Sequence, residues 1–212
     1  MENTHIFNKI NSKSQARLRA SAQLCTKIDY NFTQVELLVE ALTHSSAAQE
    51  LLRRSQGKTV APWNERLEFL GDSVLGLVLS TYLLNHPENF AEGQLSKIRA
   101  ALVNEASLAG LASDLGLGEY LLMSSGEEKG GGRQKPSVLA DAFEALLGAI
   151  YLDNGYEQTA TVILNLYSEK LAASLKDLIQ QDYKSRLQEL TQSQFKEAPK
   201  YSVIDQLGPD HD

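Results

Sequence analysis

The chain has 212 residues, of which 42% are hydrophobic, and its formal net charge at pH 7 is −7. This length accommodates one sizeable domain with a small or partial second one, and the composition is that of a folded soluble protein rather than a disordered chain. The single cysteine, Cys25, excludes an internal disulfide and a cysteine zinc cluster, so cytoplasm is the expected compartment. We expect no signal peptide and no membrane span, because the apolar stretch 74–84 is short and interrupted.

The charge is unevenly distributed along the chain. Residues 1–28 contain five Lys and Arg residues against one acid, Glu2. A net negative charge argues against a nucleic-acid partner, but a nuclease that binds cations needs acids, so the overall charge is weak evidence in either direction. We predict that residues 1–28 form a polar basic N-terminal extension, either solvated or in contact with phosphate.

The stretch from Asn64 to Leu79 predicts a helix with an acidic side. Glu65, Glu68 and Asp72 are spaced three and then four residues apart, which places them within about 60° of one another on a helix. The opposite side is apolar and is predicted to face the core: Leu67, Leu70, Val74, Leu77 and Val78. Three helical acids alone fit a solvated face as well as a functional one. Phe69, on the acidic side, instead favours a partner surface, because a large aromatic side chain is costly to leave in water.

A second helix of the same kind is predicted from Leu139 to Leu152. Asp141 and Glu144 share one of its faces, and the small residues Ala145 and Gly148 flank them, so another backbone can approach closely. Two acidic faces lined with small residues can meet around a cation. The pair of helices therefore predicts a metal site made of carboxylates.

The remaining apolar periodicity is also helical. It predicts helices at 32–42, 92–104, 108–115 and 156–179, so residues 29–178 are predicted to be an all-α domain. The glycine-rich segment 126–133 lacks the G-x-x-x-x-G-K-[ST] pattern and is not preceded by a strand, which excludes a P-loop. We expect it to be a loop that offers Lys129, Arg133 and Lys135 to a nucleic-acid backbone.

The two acidic motifs together resemble a known family. E-R-L-E-F-L-G-D-S and L-A-D-A-F-E-A-L-L-G-A-I-Y-L-D are similar to the motifs of ribonuclease III, the double-stranded-RNA endonuclease, and the resemblance covers Phe32 to about Gly155. It implies a homodimer in which each subunit cuts one RNA strand, leaving 5′-phosphate and 3′-hydroxyl ends. It also implies that the T-H-S-S run at Thr43–Ser46 is structural. No second histidine stands at metal-ligand spacing, so His44 is predicted to act at a helix end rather than as a ligand.

The resemblance assigns the site residues. It implies that Glu68, Asp141 and Glu144 hold the metal directly, with Asp72 as a further ligand or as the group that fixes a metal-bound water. Oxygen donors suit Mg²⁺, for which Mn²⁺ can substitute. Glu65 is implied at an RNA contact or the dimer seam, and Phe69 at the dimer interface. Lys97 and Arg99 are candidates for contact with RNA phosphates, and a solvated position without such a contact is almost equally expected.

The C-terminal residues 182–212 resemble the opening helix and strand of a double-stranded-RNA-binding domain, an α/β module. Ser185, Gln188 and Glu189 match the contact face of its first helix, and His211 matches the following loop. The later strands and the basic final helix are absent from the sequence. We therefore predict a magnesium-dependent endoribonuclease acting on double-stranded RNA, such as rRNA and mRNA precursors. The alternative is a catalytically silent RNA-binding homologue, which we would expect to lack at least one of the four carboxylates.

Overall fold

A computed structural model of the chain describes residues 21–58, 61–199 and 202. Residues 21–27 are helical, and eight further helices follow in the described part: α1 Val35–Ala41, α2 Ser45–Arg54, α3 Glu65–Leu84, α4 Glu92–Val103, α5 Glu105–Asp114, α6 Leu117–Tyr120, α7 Ser125–Lys129 and α8 Pro136–Phe195. A 3₁₀ turn, Gly132–Gln134, precedes α8. No sheet occurs among the described residues, where the isolated bridge between Thr43 and Leu122 is the single β pairing. The prediction of an all-α nuclease domain is confirmed.

The long helix α8 is broken at one residue. Gly155 has φ 75° and ψ −171°, a backbone conformation that a side chain would strain, so the chain bends there and the two helical stretches differ in direction. The acidic motif lies in the first stretch. The sequence predicted separate helices ending at Leu152 and beginning at residue 156, and the bend at Gly155 falls in the gap between them.

The described chain separates into two compact units at Lys170 and Leu171. In the second unit α8 continues past residue 178, where the predicted all-α domain ends, and reaches Phe195. The strand predicted after Pro199 lies, apart from Ser202, outside the described residues, as does His211. The C-terminal half-module therefore stays a prediction.

Helix α3 runs through the core of the first unit. Its buried side chains are Leu67, Val74, Leu75, Val78, Leu79 and Leu83. Leu77 was predicted to join them and is instead 56% exposed, while Leu75 takes a core position. The spacing of Leu77 fits the edge of the apolar stripe, and spacing alone does not fix where the stripe ends.

Among the described residues, α3 is the single helix that is long and apolar enough by composition to cross a membrane. The whole helix has 20 residues and is longer than the stretch 74–84 that the sequence singled out. Its first turns carry acids and its apolar side is buried against protein. Core helices of soluble proteins share this length and hydropathy, so α3 is accounted for without a membrane.

Candidate metal centre

Two glycines bring the acidic helices into backbone contact. A Cβ atom added to Gly71 of α3 would stand 1.8 Å from the carbonyl oxygen of Glu144, and one added to Gly148 of α8 would stand 2.2 Å from that of Leu67. Both positions therefore require glycine. The close approach expected from Ala145 and Gly148 is confirmed, and its partner is the first acidic helix.

This crossing gathers three carboxylates. One oxygen from each of Glu68, Asp141 and Glu144 lies within 4.8 Å of the others. All three residues are half-buried. Oxygens at this separation can share one cation, so the two helices present a preformed set of hard ligands.

The electrostatics of the cluster show an excess of negative charge. Burial raises the pKa of Glu144 to about 7, with help from the neighbouring charges of Asp72, Glu68 and Asp141. Burial also raises the pKa of Glu68, and the charges of Asp141, Glu65 and Asp72 add to this effect. A buried carboxylate that resists ionisation is stabilised in its charged form by a cation.

Asp72 and Glu65 lie at the margin of this cluster. Both are exposed, and each is close enough to raise the pKa of a cluster carboxyl. Neither contributes an oxygen to the group of three. Both acids are therefore close to the group of three without belonging to it.

The donor set fits a hard divalent cation. The three converging residues offer carboxylate oxygens alone, without sulfur or imidazole, which suits Mg²⁺ or Mn²⁺ rather than zinc. Their raised pKa values have the direction expected for carboxylates that lack a counter-charge.

His44 lies near the site but serves as a helix cap. It is the N-cap of α2, and its Nδ1 accepts a hydrogen bond of 3.2 Å from the backbone N–H of Ser46. The predicted structural role at a helix end agrees with this geometry. The imidazole lies close enough to the cluster that a proton on it would lower the pKa of Asp141, against the rise caused by burial.

One further acid was not identified from the sequence. Glu105, the exposed first residue of α5, adds to the rise in the pKa of Asp141, behind burial in size. Nothing in its local pattern distinguishes it from an ordinary acid in a first helical turn. Only the packing of α5 brings it near α8.

The basic candidates divide into exposed and anchored side chains. Lys97 and Arg99 are exposed on α4, and Arg99 donates a 2.9 Å hydrogen bond to Ser80 Oγ of α3. Arg133 was expected to be available to RNA; instead its guanidinium donates to the carbonyls of Gly118 and Leu121 at 2.7 and 2.8 Å and holds the loop together. This expectation was wrong, because a long basic side chain in a glycine-rich segment serves equally well as an internal anchor.

The two lysines in and just after the glycine-rich segment differ in their surroundings. Lys135 pairs with Glu127 at 2.6 Å, and Lys129 is exposed. Gln188 and Glu189 are exposed on α8, and the backbone of Ser185 is helical.

Exposed apolar residues form a stripe on α3. Phe69, Leu77 and Leu84 are 79%, 56% and 70% exposed, and their spacing places them within about 80° of one another on the helix. Phe69 is therefore on the surface, as its place beside the acids predicted. Exposed apolar side chains on one side of a helix can form an interaction surface where they are contiguous.

An all-α domain with a carboxylate cluster at the crossing of two helices defines a class of proteins that could hold a metal ion between helices. Comparison with known proteins narrows this class. A family model described as Ribonuclease-III-like matches residues 34–171. The chain belongs to the ribonuclease III family and is an endoribonuclease.

Individual relatives are similar over most of their length. A Ribonuclease 3 from Caldanaerobacter subterraneus subsp. tengcongensis is 51% identical over 87% of this chain and 78% of its own. A Ribonuclease 3 from Campylobacter jejuni is 45% identical over 87% of this chain and 77% of its own. A solved nuclease domain of the Campylobacter jejuni ribonuclease III, described with flexibility in a region involved in dimer formation, is 46% identical with a TM-score of 0.62, covering 70% of this chain and 96% of that one.

Proposed function

We propose that this protein is a magnesium-dependent endoribonuclease that cleaves double-stranded RNA to 5′-phosphate and 3′-hydroxyl ends, in the processing of precursors such as rRNA and mRNA. The convergence of Glu68, Asp141 and Glu144 oxygens within 4.8 Å carries the proposal. Family membership supports the RNA chemistry, and the carboxylate cluster supports the dependence on a metal.

The positions of the acids support a division of roles. Glu68, Asp141 and Glu144 would hold the cation, and Asp72 at the margin would ligate it or orient a water. When bound, a divalent cation supplies Lewis-acid charge beside the phosphodiester and lowers the pKa of a water. Mn²⁺, with the same preference for oxygen ligands, substitutes for Mg²⁺. No histidine or lysine is assigned as the general base.

The RNA surface lies around this cluster. Glu65 is exposed beside it, and Lys97 and Arg99 are exposed on α4, where they can contact phosphates. In the C-terminal segment, Ser185, Gln188, Glu189 and His211 are proposed as contacts to an RNA minor groove.

The protein is further proposed to act as a cytoplasmic homodimer with no membrane contact. The exposed stripe of Phe69, Leu77 and Leu84 on α3 supports a symmetric contact between two copies. Phe69 is the proposed anchor of that interface.

The test is cleavage of a long labelled RNA duplex in Mg²⁺, with Ca²⁺ as a binding-only control. We expect 5′-phosphate ends from the unmodified chain, and loss of cutting with retained binding in Glu144→Gln. Binding without cutting by the unmodified chain, in Mg²⁺ and in Mn²⁺, would establish the silent RNA-binding homologue instead. The presence of all four carboxylates argues against that alternative.

A further inference from the structure

The chain segments that lead into the two acidic helices are both hydrogen-bonded to one short stretch, residues 42–44. The carbonyl of Thr43 accepts a 2.9 Å hydrogen bond from the backbone N–H of Asn64, the residue before α3. On the other side, the N–H of His44 donates to the carbonyl of Leu122 at 2.9 Å, and the N–H of Leu122 donates to Leu42 at 2.7 Å. Leu122 begins the segment that leads to α8. Residues 42–44 therefore join the approaches to both acidic helices.

A side-chain relay strengthens the second of these connections. The backbone N–H of Ser124 donates to Ser46 Oγ at 3.0 Å, and Ser46 Oγ lies 2.8 Å from His44 Nδ1. Because Nδ1 also accepts from the Ser46 N–H, it bears the lone pair, and the Ser46 hydroxyl donates to it. In this relay the Ser124 N–H donates to the Ser46 oxygen and the Ser46 O–H donates to His44 Nδ1, so both donors have an acceptor.

The segment after Ser124 is compact up to the start of α8. Ser124 caps α7, and the N–H of Ser125 donates to Glu50 of α2 at 3.3 Å. Arg133 fastens the end of the segment to Gly118 and Leu121. A shift at Ser124 is thus passed on to Pro136 and the first turns of α8, because little slack remains between them.

We propose that His44 is a positioning residue for the metal centre: the contact at Gly71 and Gly148 fixes the crossing of α3 and α8, and the relay through Ser46 to Ser124 holds the segment that leads into the first turns of α8, which carry Asp141 and Glu144. This role rests on the proposed metal-dependent function. His44 itself does not touch the cation. The nearness of the imidazole to Asp141 agrees with the short path between the cap and the cluster.

Three substitutions separate the relay from the imidazole itself. His44→Ala removes the cap and the relay, and Ser46→Ala removes the hydroxyl while leaving the backbone N–H to the cap. His44→Asn keeps an acceptor at the position of Nδ1, since asparagine is a good N-cap. Tyr30→Phe is the matched control, because it deletes one hydrogen bond of 2.6 Å, to Asp153, that has no part in the relay.

The measurement is the binding of Mn²⁺ to the full chain without RNA, from the electron paramagnetic resonance signal of the free ion. We expect His44→Ala and Ser46→Ala to bind about tenfold more weakly, as for other supporting contacts of metal ligands. His44→Asn should restore binding to within about twofold, since an asparagine oxygen accepts the same bonds. Tyr30→Phe should bind as the unmodified chain does. If His44→Ala does not fold, the Mn²⁺ affinity of Ser46→Ala decides whether the relay positions the metal centre.

Unchanged binding by Ser46→Ala, or equal weakness of His44→Asn and His44→Ala, would overturn the positioning role. The proposed function fails by a different result, namely no Mn²⁺ binding by the unmodified chain, or undiminished binding by Glu144→Gln. The two failures are therefore distinguishable in one series.

Discussion

The carboxyl group of Glu144 lies among the other acids of the carboxylate cluster. Burial and three neighbouring acids raise its pKa from 4.5 to about 7. Between these values the folded protein retains a proton that the unfolded chain has released. The free energy of unfolding of the metal-free protein therefore falls as the pH rises through this window, and it levels off above it.

Glu144→Gln should remove this penalty. At pH 8 without metal, we expect the variant to be more stable than the unmodified chain by about 2 kcal/mol, a value reduced for partial exposure of the group. The difference should vanish near pH 4, where the carboxyl is protonated in both states. Urea unfolding at the two pH values in a chelator measures it.

Glu36→Gln, at an exposed acid of α1, is the control and should leave the pH dependence unchanged. A Glu144→Gln variant no more stable than the unmodified chain at pH 8 would show that the cluster carries no such charge strain.

The pKa of Asp153 is shifted in the opposite direction, below its ordinary value. Burial would raise the pKa of its carboxyl, but hydrogen bonds from the Tyr30 hydroxyl and the backbone N–H groups of Thr33 and Gln34, at 2.6, 2.9 and 2.8 Å, lower it overall. The ionised carboxylate thus fastens the segment before α1 to α8 just ahead of the bend.

Asp153→Ala should lower the free energy of unfolding at pH 7 by about 2 kcal/mol, the scale of hydrogen bonds to a charged group. Because a lowered carboxyl pKa stabilises the fold above its unfolded value of 3.8, the difference should shrink as the pH falls below it. Thermal unfolding at pH 7 and pH 3 provides the measurement. A difference that grows in acid would contradict the assignment.

Among the helices, the close crossing of α3 and α8 brings the three carboxylates of the candidate metal centre together. Gly71→Ala would drive a methyl group into the Glu144 carbonyl, 1.8 Å away, so the helices must separate. We expect a loss of about 3 kcal/mol of stability, as for severe overpacking, together with the loss of cleavage.

Gly110→Ala is the matched control for this substitution. Gly110 lies within α5 with nothing inside 4 Å of an added Cβ, so alanine should raise stability by about 0.5–1 kcal/mol through helix propensity. Equal tolerance of both substitutions, by thermal unfolding and cleavage rate, would show that the close crossing is not required.

The sequence predicted the elements better than their relations. The period of the acids and apolar residues indicated both acidic helices, and the small residues Ala145 and Gly148 indicated the close approach. The period did not indicate that Leu77 is exposed, because one helix cannot reveal where its neighbours end. Asparagine is a good N-cap residue, and Asn64 does occupy the N-cap position of α3, but its side chain makes no cap hydrogen bond and its backbone carbonyl accepts from the N–H of Glu68.

Contacts between residues far apart in the sequence could not be predicted from the local sequence pattern. The relay from His44 to Ser124 joins residues about eighty positions apart, and Glu105 approaches Asp141 only through tertiary packing. Arg133 shows the same limit, since its sequence context suits both an internal anchor and an RNA contact.

At the scale of the whole molecule, the exposed stripe on α3 bears on assembly. Phe69→Ala should weaken self-association by on the order of 100-fold, as expected for the loss of a central aromatic anchor. Val35→Ala, at a 55% exposed residue of α1 outside the stripe, should leave self-association unchanged. Light scattering across a dilution series measures both. Equal association of the two variants would place the interface elsewhere.

The proposed dependence of cleavage on carboxylates from two crossing helices can be measured by the rate of cleavage of an RNA duplex at saturating Mg²⁺, compared between the unmodified chain and Glu144→Gln. We predict a rate at least about 1000-fold lower in the variant, because loss of metal charge stabilisation costs several kcal/mol of the barrier, with duplex binding in Ca²⁺ preserved. Cleavage by Glu144→Gln at the unmodified rate, or undiminished cleavage by the unmodified chain in a chelator, would contradict the account.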